Sequence, residues 1–172
     1  MGQAVSFARI PDSSVIGKMT YQRILVPFDG SSYSKKALVQ AAQIAKSSGA
    51  IIYLCTIVTT QNVVPPGALL GLVKEASRGT LQKRLITSAR IQAEKQHAEQ
   101  MKYCKKLGVR AFSKILVSGN IAQEILSMAR KKSADLIVVG NQGLHGMAKI
   151  KSLGSVSRKI SENASCPVLI VR

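Results

Sequence analysis

The sequence contains no tryptophan, 4% aromatic residues and three widely separated cysteines. The core must therefore be aliphatic, which is typical of α/β proteins with buried parallel strands. The cysteines are odd in number and form no C-x-x-C pair, so they predict no disulfide framework, and two histidines add no convincing zinc site. We expect no structural metal, and we expect Cys55, Cys104 and Cys166 to be small buried hydrophobes in a reducing compartment.

Long hydrophobic runs are also missing. No run approaches the roughly 18–20 apolar residues of a membrane span, and the N-terminus lacks the positive and then apolar layout of a signal peptide. We therefore expect a cytoplasmic protein without a membrane partner. At 172 residues the chain is long enough to bury the core of one domain without metals or disulfides.

Acidic residues are scarce. The chain has 8 Asp and Glu residues and 25 Lys and Arg residues, so its net charge is +17. Such a charge attracts nucleotides and polyanions without selecting among them. Two interpretations of the charge stay open at this point. One is nucleic-acid binding, and the other is a generally basic composition that only keeps the protein soluble.

Apolar runs alternate with helical periodicities from residue 21 onward, in the order β-α-β-α-β-α-β-α-β. This order predicts a right-handed, doubly wound α/β fold with a five-stranded, mainly parallel sheet and helices on both faces. Residues 1–20 are expected to be an extension outside the domain, which covers residues 21–172, and residues 59–78 a long connection. The strands are expected at Arg23–Phe28, Ile51–Val58, Val109–Val117, Asp135–Val139 and Pro167–Arg172. The helices are expected at Tyr33–Ser47, Thr80–Leu107, Ile121–Lys132 and Ser155–Asn163.

The longest predicted helix has apolar residues three or four positions apart, which form its packed face. His97 lies on this stripe, so we interpret it as a histidine at the edge of the core rather than as a catalyst. The basic residues of the same helix lie off the stripe and lack interleaved aromatics. The stripe consists of Ile86, Ala89, Ala93, His97, Met101 and Cys104.

Glycines and serines cluster where the fourth strand ends and the last helix begins. Two glycines follow the strand, and their missing Cβ atoms are expected to let an anion approach the backbone. A glycine–serine pair opens the helix, whose free N–H groups and partial positive charge suit a phosphate, and two lysines lie in the loop between. The alternative is that the glycines merely turn the chain, but the combination favours an anion site. In chain order these residues are Gly140, Gly143, Lys149, Lys151, Gly154 and Ser155.

Asp29 follows the first strand, at the edge of the sheet where open α/β folds bind ligands. The alternative role is a carboxylate that only shapes the turn into the next helix. Because Asp29 is one of eight acids in this basic chain, we favour a ligand role.

Five blocks of the sequence stand out by their order and spacing: Ile24–Ser31, Val117–Ile121, Asp135–Gly140, Gly154–Ser157 and Cys166–Val171. Together they resemble the universal stress protein family. The resemblance covers about residues 21–172 and implies a Rossmann-like fold related to the adenine nucleotide alpha hydrolases.

Members of that family that bind ATP carry a glycine, two residues, a second glycine, nine residues, and then a glycine followed by serine or threonine. Gly140, Gly143, Gly154 and Ser155 fill those places here, but ten residues separate Gly143 from Gly154. We expect the extra residue to bulge at the exposed loop tip, around residues 145–148, and to leave Gly154 in place.

The resemblance also implies a role for each matching residue. Pro27 and Asp29 face the nucleoside, and Asp29 accepts hydrogen bonds from the ribose hydroxyls. Thr56 takes the place whose backbone contacts adenine, and Val139 lines the base or ribose. The residues implied around the phosphates are Gly140, Gly143, Gly154, Ser155, Val156 and Ser157.

The family usually dimerises by pairing its last strands, and Val168–Val171 is a short, apolar strand whose edge such a contact would cover. The resemblance therefore implies a dimeric stress-response or signalling protein that acts as a nucleotide-dependent switch, with ATP or another adenine nucleotide, and Mg²⁺, as its ligand. Two alternatives stay open. One is a slow ATPase, although the sequence offers no Walker lysine–serine pair and no dedicated general base. The other is a nucleic-acid or polyanion-binding module with a non-functional nucleotide pocket.

Overall fold

The computed structural model describes residues 21–59, 75–143 and 153–172. The predicted extension of residues 1–20 and most of the predicted connection lie outside the described residues. The described strands and helices are β1 (Arg23–Pro27), α1 (Ser32–Ser48), β2 (Ile51–Val58), α2 (Glu75–Lys106), β3 (Ala111–Val117), α3 (Ile121–Lys131), β4 (Leu136–Gly140), α4 (Ser155–Asn163) and β5 (Val168–Val171).

The five strands form one sheet in the order β3-β2-β1-β4-β5, and each pair of neighbours is parallel. The chain builds outward from β1 through β2 to β3, and then returns to the other side of β1 with β4. The strand order therefore reverses between β1 and β4, which is where ligands bind in such sheets. The predicted doubly wound fold is confirmed, with a sheet that is parallel throughout its described strands.

Two apolar clusters cover the two faces of the sheet. On one face α1 and α2 pack over a cluster that includes Leu38, Ile52 and Val138. On the other face α3 and α4 pack over a cluster that includes Leu25 and Ile160. These five side chains are completely buried, so the sheet has helices on both faces, as the sequence predicted.

The strand ends differ from the predictions by one or two residues. β1 ends at Pro27 and not at Phe28, and β3 begins at Ala111. The prediction that β3 begins at Val109 was wrong, because the Val109 N–H donates to the Cys104 carbonyl oxygen at 3.0 Å and so belongs to the end of α2.

The helix α2 begins at Glu75, five residues before the predicted Thr80. The residues before Thr80 show no regular apolar spacing, so the sequence placed them in the connection, whereas α2 continues through Gly79 at a cost of only about 1 kcal/mol for an isolated glycine. The predicted stripe does face inward, with three buried residues and three half-buried ones: Ala93, His97 and Cys104, and Ile86, Ala89 and Met101. Neither α2, with 32 residues, nor any other helix of the described ranges is long and apolar enough to cross a bilayer.

All three cysteines are free thiols. Cys55 and Cys104 are buried, as predicted, and burial raises the pKa of the Cys55 thiol to about 12. Cys166 is half-buried, because it lies in the turn between α4 and β5, so the prediction of full burial was wrong for this residue.

Candidate functional site

A cavity of about 670 Å³ opens at the carboxyl ends of β1, β2 and β4, with residues of α2, α3 and α4 in its wall. It lies where the strand order reverses, and its volume is typical of small-molecule sites. The structure brings all ten residues that the sequence assigned to the site into the lining of this cavity: Pro27, Asp29, Thr56, Val139, Gly140, Gly143, Gly154, Ser155, Val156 and Ser157.

A tight turn after β1 places Asp29 in the cavity wall. Asp29 Oδ1 accepts a hydrogen bond from the Ser31 N–H at 3.0 Å. Gly30 has a φ of 84°, which favours glycine, and a Cβ there would lie 2.7 Å from Oε1 of Gln96 in α2. Asp29 therefore shapes the turn with one carboxylate oxygen and also lines the cavity, so the two roles considered from the sequence are compatible.

The two glycines after β4 pack closely against other parts of the protein. A Cβ on Gly140 would lie 2.8 Å from both the backbone carbonyl carbon and the Cβ of Tyr33, in the first turn of α1. A Cβ on Gly143 would lie 2.7 Å from Oδ2 of Asp29. Both glycines line the cavity, but their missing side chains make room for protein atoms, which lets β4 and the following loop pack against the start of α1 and the Asp29 carboxylate.

The N-terminus of α4 borders the same cavity without a side-chain cap. Its N-cap is Gly154, which makes no side-chain hydrogen bond, whereas Ser31 and Asn120 cap α1 and α3 with their side chains. The Gly154 N–H donates to the carbonyl oxygen of Asn141 at 2.9 Å and fixes the helix start beside the loop after β4. The predicted bulge around residues 145–148 lies outside the described residues, but Gly143 and Gly154 still line one cavity.

Ser157 lines the cavity with its hydroxyl already engaged. Its Oγ donates to the Gly140 carbonyl oxygen at 2.7 Å, and the Asn141 carbonyl oxygen is 3.2 Å away. This side chain is 3% exposed and fastens α4 to the end of β4. The Ser157 hydroxyl proton is therefore used within the protein, and only the other groups of this residue could serve a ligand.

A polar pair behind the cavity wall was not predicted from the sequence. The Thr56 hydroxyl donates to the Phe28 carbonyl oxygen and lies 2.7 Å from Nε2 of His97. Because the single hydroxyl proton is used, Thr56 Oγ1 accepts from Nε2–H, which leaves Nδ1 of His97 buried without a hydrogen bond among the described residues. Burial lowers the pKa of His97. His97 is therefore a neutral core histidine, as the sequence indicated, and it positions Thr56.

Two glutamines of α2 also line the cavity, Gln92 and Gln96. They were missed from the sequence because no residue of this helix was assigned to the site. Their spacing of four residues, next to Ala89 and Ala93 on the stripe, is the signal that could have found them.

The cavity is not basic, although the chain carries a net charge of +17. Asp29 is the one charged side chain among the described residues that line it. The two lysines expected near the site, Lys149 and Lys151, lie outside the described residues. Within the described part, an anion in the cavity would be met by the backbone N–H groups and the helix dipole of α4.

The comparisons with known proteins agree on one family. A family model for the universal stress protein family matches residues 20–172. The chain belongs to this family. It is 35% identical over 160 residues to the universal stress protein MJ0531 of Methanocaldococcus jannaschii, covering 91% of this chain and 85% of that one. It is also 35% identical over 156 residues to the universal stress protein YxiE of Bacillus subtilis, covering 88% of this chain and 99% of the relative.

Solved universal stress proteins share the fold. UspA from Lactobacillus plantarum matches with a TM-score of 0.75 at 20% identity, over 88% of this chain and 98% of the other. A universal stress protein in complex with cAMP matches with a TM-score of 0.55 at 25% identity, over 89% and 98% of the two chains. One from Archaeoglobus fulgidus in complex with dAMP matches with a TM-score of 0.60 at 23% identity, over 90% and 100% of the two chains.

Proposed function

We propose that this universal stress protein binds an adenine nucleotide in the cavity at the carboxyl ends of β1, β2 and β4. One observation carries the proposal: ten residues that are scattered from Pro27 to Ser157 along the chain line one cavity. The nucleotide complexes of two proteins with this fold, with cAMP and with dAMP, support the choice of ligand.

The nucleoside would lie against the ends of β1, β2 and β4. Asp29 lines this region, and its carboxylate would accept hydrogen bonds from the ribose hydroxyls. Pro27, Thr56 and Val139 would border the base and ribose. The hydrogen bond between Thr56 and His97 holds the Thr56 side chain, so that β2 presents a fixed edge to the base.

The phosphates would lie at the start of α4. The N-terminus of α4 has no side-chain cap at Gly154, so the first N–H groups of the helix lack a side-chain acceptor and could bind phosphate oxygens. Ser155 and Val156 border the cavity at this point, and their N–H groups would donate to phosphate oxygens. We expect ATP with Mg²⁺ as the bound form, and we propose binding rather than turnover, since Asp29 is the one carboxylate among the described lining residues.

The biological output would be a nucleotide-dependent switch in a cytoplasmic homodimer that takes part in a stress response. β5 is an outer strand of the sheet that pairs with β4, and its Leu169 is 39% exposed. An antiparallel pairing of Val168–Val171 with the same strand of a second copy would cover this edge.

The test is mass spectrometry of the small molecules released from the freshly purified, denatured protein, together with calorimetric titration of ATP, AMP and cAMP. We expect an adenine nucleotide from the parent protein and none from Gly154→Val, whose side chain would enter the space beside Asn141. The matched control is Gly119→Val, because a Cβ at Gly119 meets nothing within 4 Å and Gly119 does not line the cavity.

Two results would contradict the proposal. If the parent protein releases no adenine nucleotide and binds none of the three at moderate salt, the proposal is wrong. Equal nucleotide binding by Gly154→Val and Gly119→Val would place the nucleotide elsewhere on the protein.

A further inference from the structure

Tyr53 and Phe112 form an aromatic pair at the end of the sheet opposite the cavity. They are register partners near the start of β2 and β3, with ring centroids 5.8 Å apart and an angle of 19° between the ring planes. Phe112 is 53% exposed, although it belongs to a regular strand. A stacked aromatic pair with one open member is a surface on which a further flat ring can stack.

The position of β3 explains why this pair is open. β3 is an outer strand, and Tyr53 contacts the apolar cluster under α3 and α4. Phe112 stacks on Tyr53 and is therefore on the same face of the sheet, and Lys114 shares this face because side chains alternate along a strand. Both Phe112 and Lys114 are exposed, so the described helices on that side do not cover β3.

Positive charges flank the aromatic pair. The ammonium of Lys132, just after α3, lies 5.3 Å from the centroid of the Tyr53 ring. Lys114 lies two positions beyond Phe112 on the strand. Neither ammonium forms an ion pair with another described residue. The basic face of α2 lacked aromatics in the sequence, whereas the structure joins aromatics and lysines on β2, β3 and the end of α3.

We propose that this surface, named here the aromatic platform and made of Tyr53, Phe112, Lys114 and Lys132, binds single-stranded nucleic acid. Bases stack on exposed aromatic rings, and lysines pair with the backbone phosphates beside them. The net charge of +17 attracts such a ligand to the protein. A single strand is favoured over a duplex, because only an unpaired base can leave its own stack to lie on a ring that stands on a sheet.

The platform and the nucleotide cavity are separate sites. The cavity lies at the carboxyl ends of the strands, and none of the four platform residues lines it. Binding of a single strand at the platform therefore does not depend on nucleotide in the cavity, and the two proposals stand or fall independently.

The test is fluorescence anisotropy of the full chain with a labelled oligouridylate of about 12 nucleotides, a length within the usual site size. We expect Phe112→Ala to raise the Kd about tenfold through the lost stacking, and Phe112→Tyr, which keeps a ring, to bind like the parent. The matched control is Val117→Ala. Val117 lies on the same strand, points to the opposite face and is 51% exposed, so its truncation should leave the Kd unchanged.

The salt dependence of the Kd tests whether Lys132 contacts a backbone phosphate. Between about 50 and 200 mM salt, Lys132→Ala should reduce the slope of log Kd against log salt by about 0.7, the value for one phosphate contact on a single strand. Lys102→Ala removes an exposed lysine from α2 and should leave the slope unchanged.

Three results would overturn the proposal. Equal binding by Phe112→Ala and Val117→Ala would show that charge alone holds the strand. If a duplex of the same length binds as tightly as the single strand, base stacking on the platform does not contribute to binding. If Phe112→Ala dissociates an oligomer in sedimentation experiments, the platform is a contact with a second copy of this chain.

Discussion

The helices α3 and α4 pack on the same face of the sheet, yet they begin in different ways. Before α3, the Asn120 side chain accepts a hydrogen bond from the Gln123 N–H at 3.2 Å, on the protein surface. Before α4 stands Gly154, which has no side chain to cap the helix and which borders the cavity. In the proposed function, α3 completes its own hydrogen bonds, whereas α4 completes them with a phosphate.

This difference has a small cost in stability when the ligand is absent. A glycine N-cap is less stabilising than Asn or Asp by roughly a few tenths of a kcal/mol, so α4 loses little by beginning with Gly154. Departures from a local rule of this kind are expected at functional sites. Substitutions that add a side-chain cap to α4, or remove the cap of α3, test this comparison.

Among the substitutions that compare the two helix starts, the largest effect is expected from Gly154→Asp, which gives α4 its own cap. Gly154 has φ −61° and ψ 153°, an extended conformation that aspartate adopts at an N-cap. The carboxylate would occupy the N–H groups and repel a phosphate, so the Kd for an adenine nucleotide should rise about 10- to 100-fold. Isothermal titration calorimetry measures this change.

Two variants control for charge and shape. Gly119→Asp adds the same charge near the start of α3, where a Cβ meets nothing within 4 Å, and should leave the Kd unchanged. Gly154→Asn has nearly the same shape without the charge and should lose less affinity than Gly154→Asp. If all three variants bind like the parent, α4 does not hold the phosphate.

The second-largest expected effect is on stability, because a bound nucleotide raises the free energy of unfolding. At a free nucleotide concentration of about 100 times Kd, the free energy of unfolding of the parent should rise by about 2.7 kcal/mol. The same nucleotide concentration should stabilise Gly154→Asp much less, because its binding is weakened. Urea unfolding with and without nucleotide measures both values, and equal stabilisation of the two proteins would contradict the role of α4.

A smaller effect is expected from Asn120→Ala, which removes the cap of α3. The free energy of unfolding should fall by about 1 kcal/mol, as for other N-cap deletions. Nucleotide affinity should not change, since Asn120 lies outside the cavity lining. A loss of affinity without a loss of stability would show that the two helix starts do not have separate roles.

The sequence predicted the fold well because its main signals are local. β1 and β4 are almost entirely buried, so they appear as continuous apolar runs in the sequence. The start of α2 at Glu75 was missed because the residues before Thr80 show no regular apolar spacing.

The ten residues that the sequence assigned to the site line one cavity, but the contacts that they make were not predicted. The contacts of Gly140 with Tyr33 and of Thr56 with His97 join residues from different strands and helices, and nothing in the local sequence specifies them. The aromatic platform was missed for the same reason, because the register of β2 and β3 decides which residues face Tyr53.

The smallest effect is expected within α4 itself, where Ser155 and Ser157 are expected to have different roles. Ser155→Ala removes one hydroxyl from the cavity wall and leaves the backbone N–H groups in place, so the Kd should rise only about 2- to 5-fold. Ser157→Ala removes a hydroxyl that donates to the Gly140 carbonyl oxygen, so it should lower the free energy of unfolding by about 1 kcal/mol. Calorimetric titration and urea unfolding of both variants separate the two roles. A much larger loss of affinity in Ser155→Ala would mean that the hydroxyl, and not the uncapped backbone of α4, is the main phosphate contact.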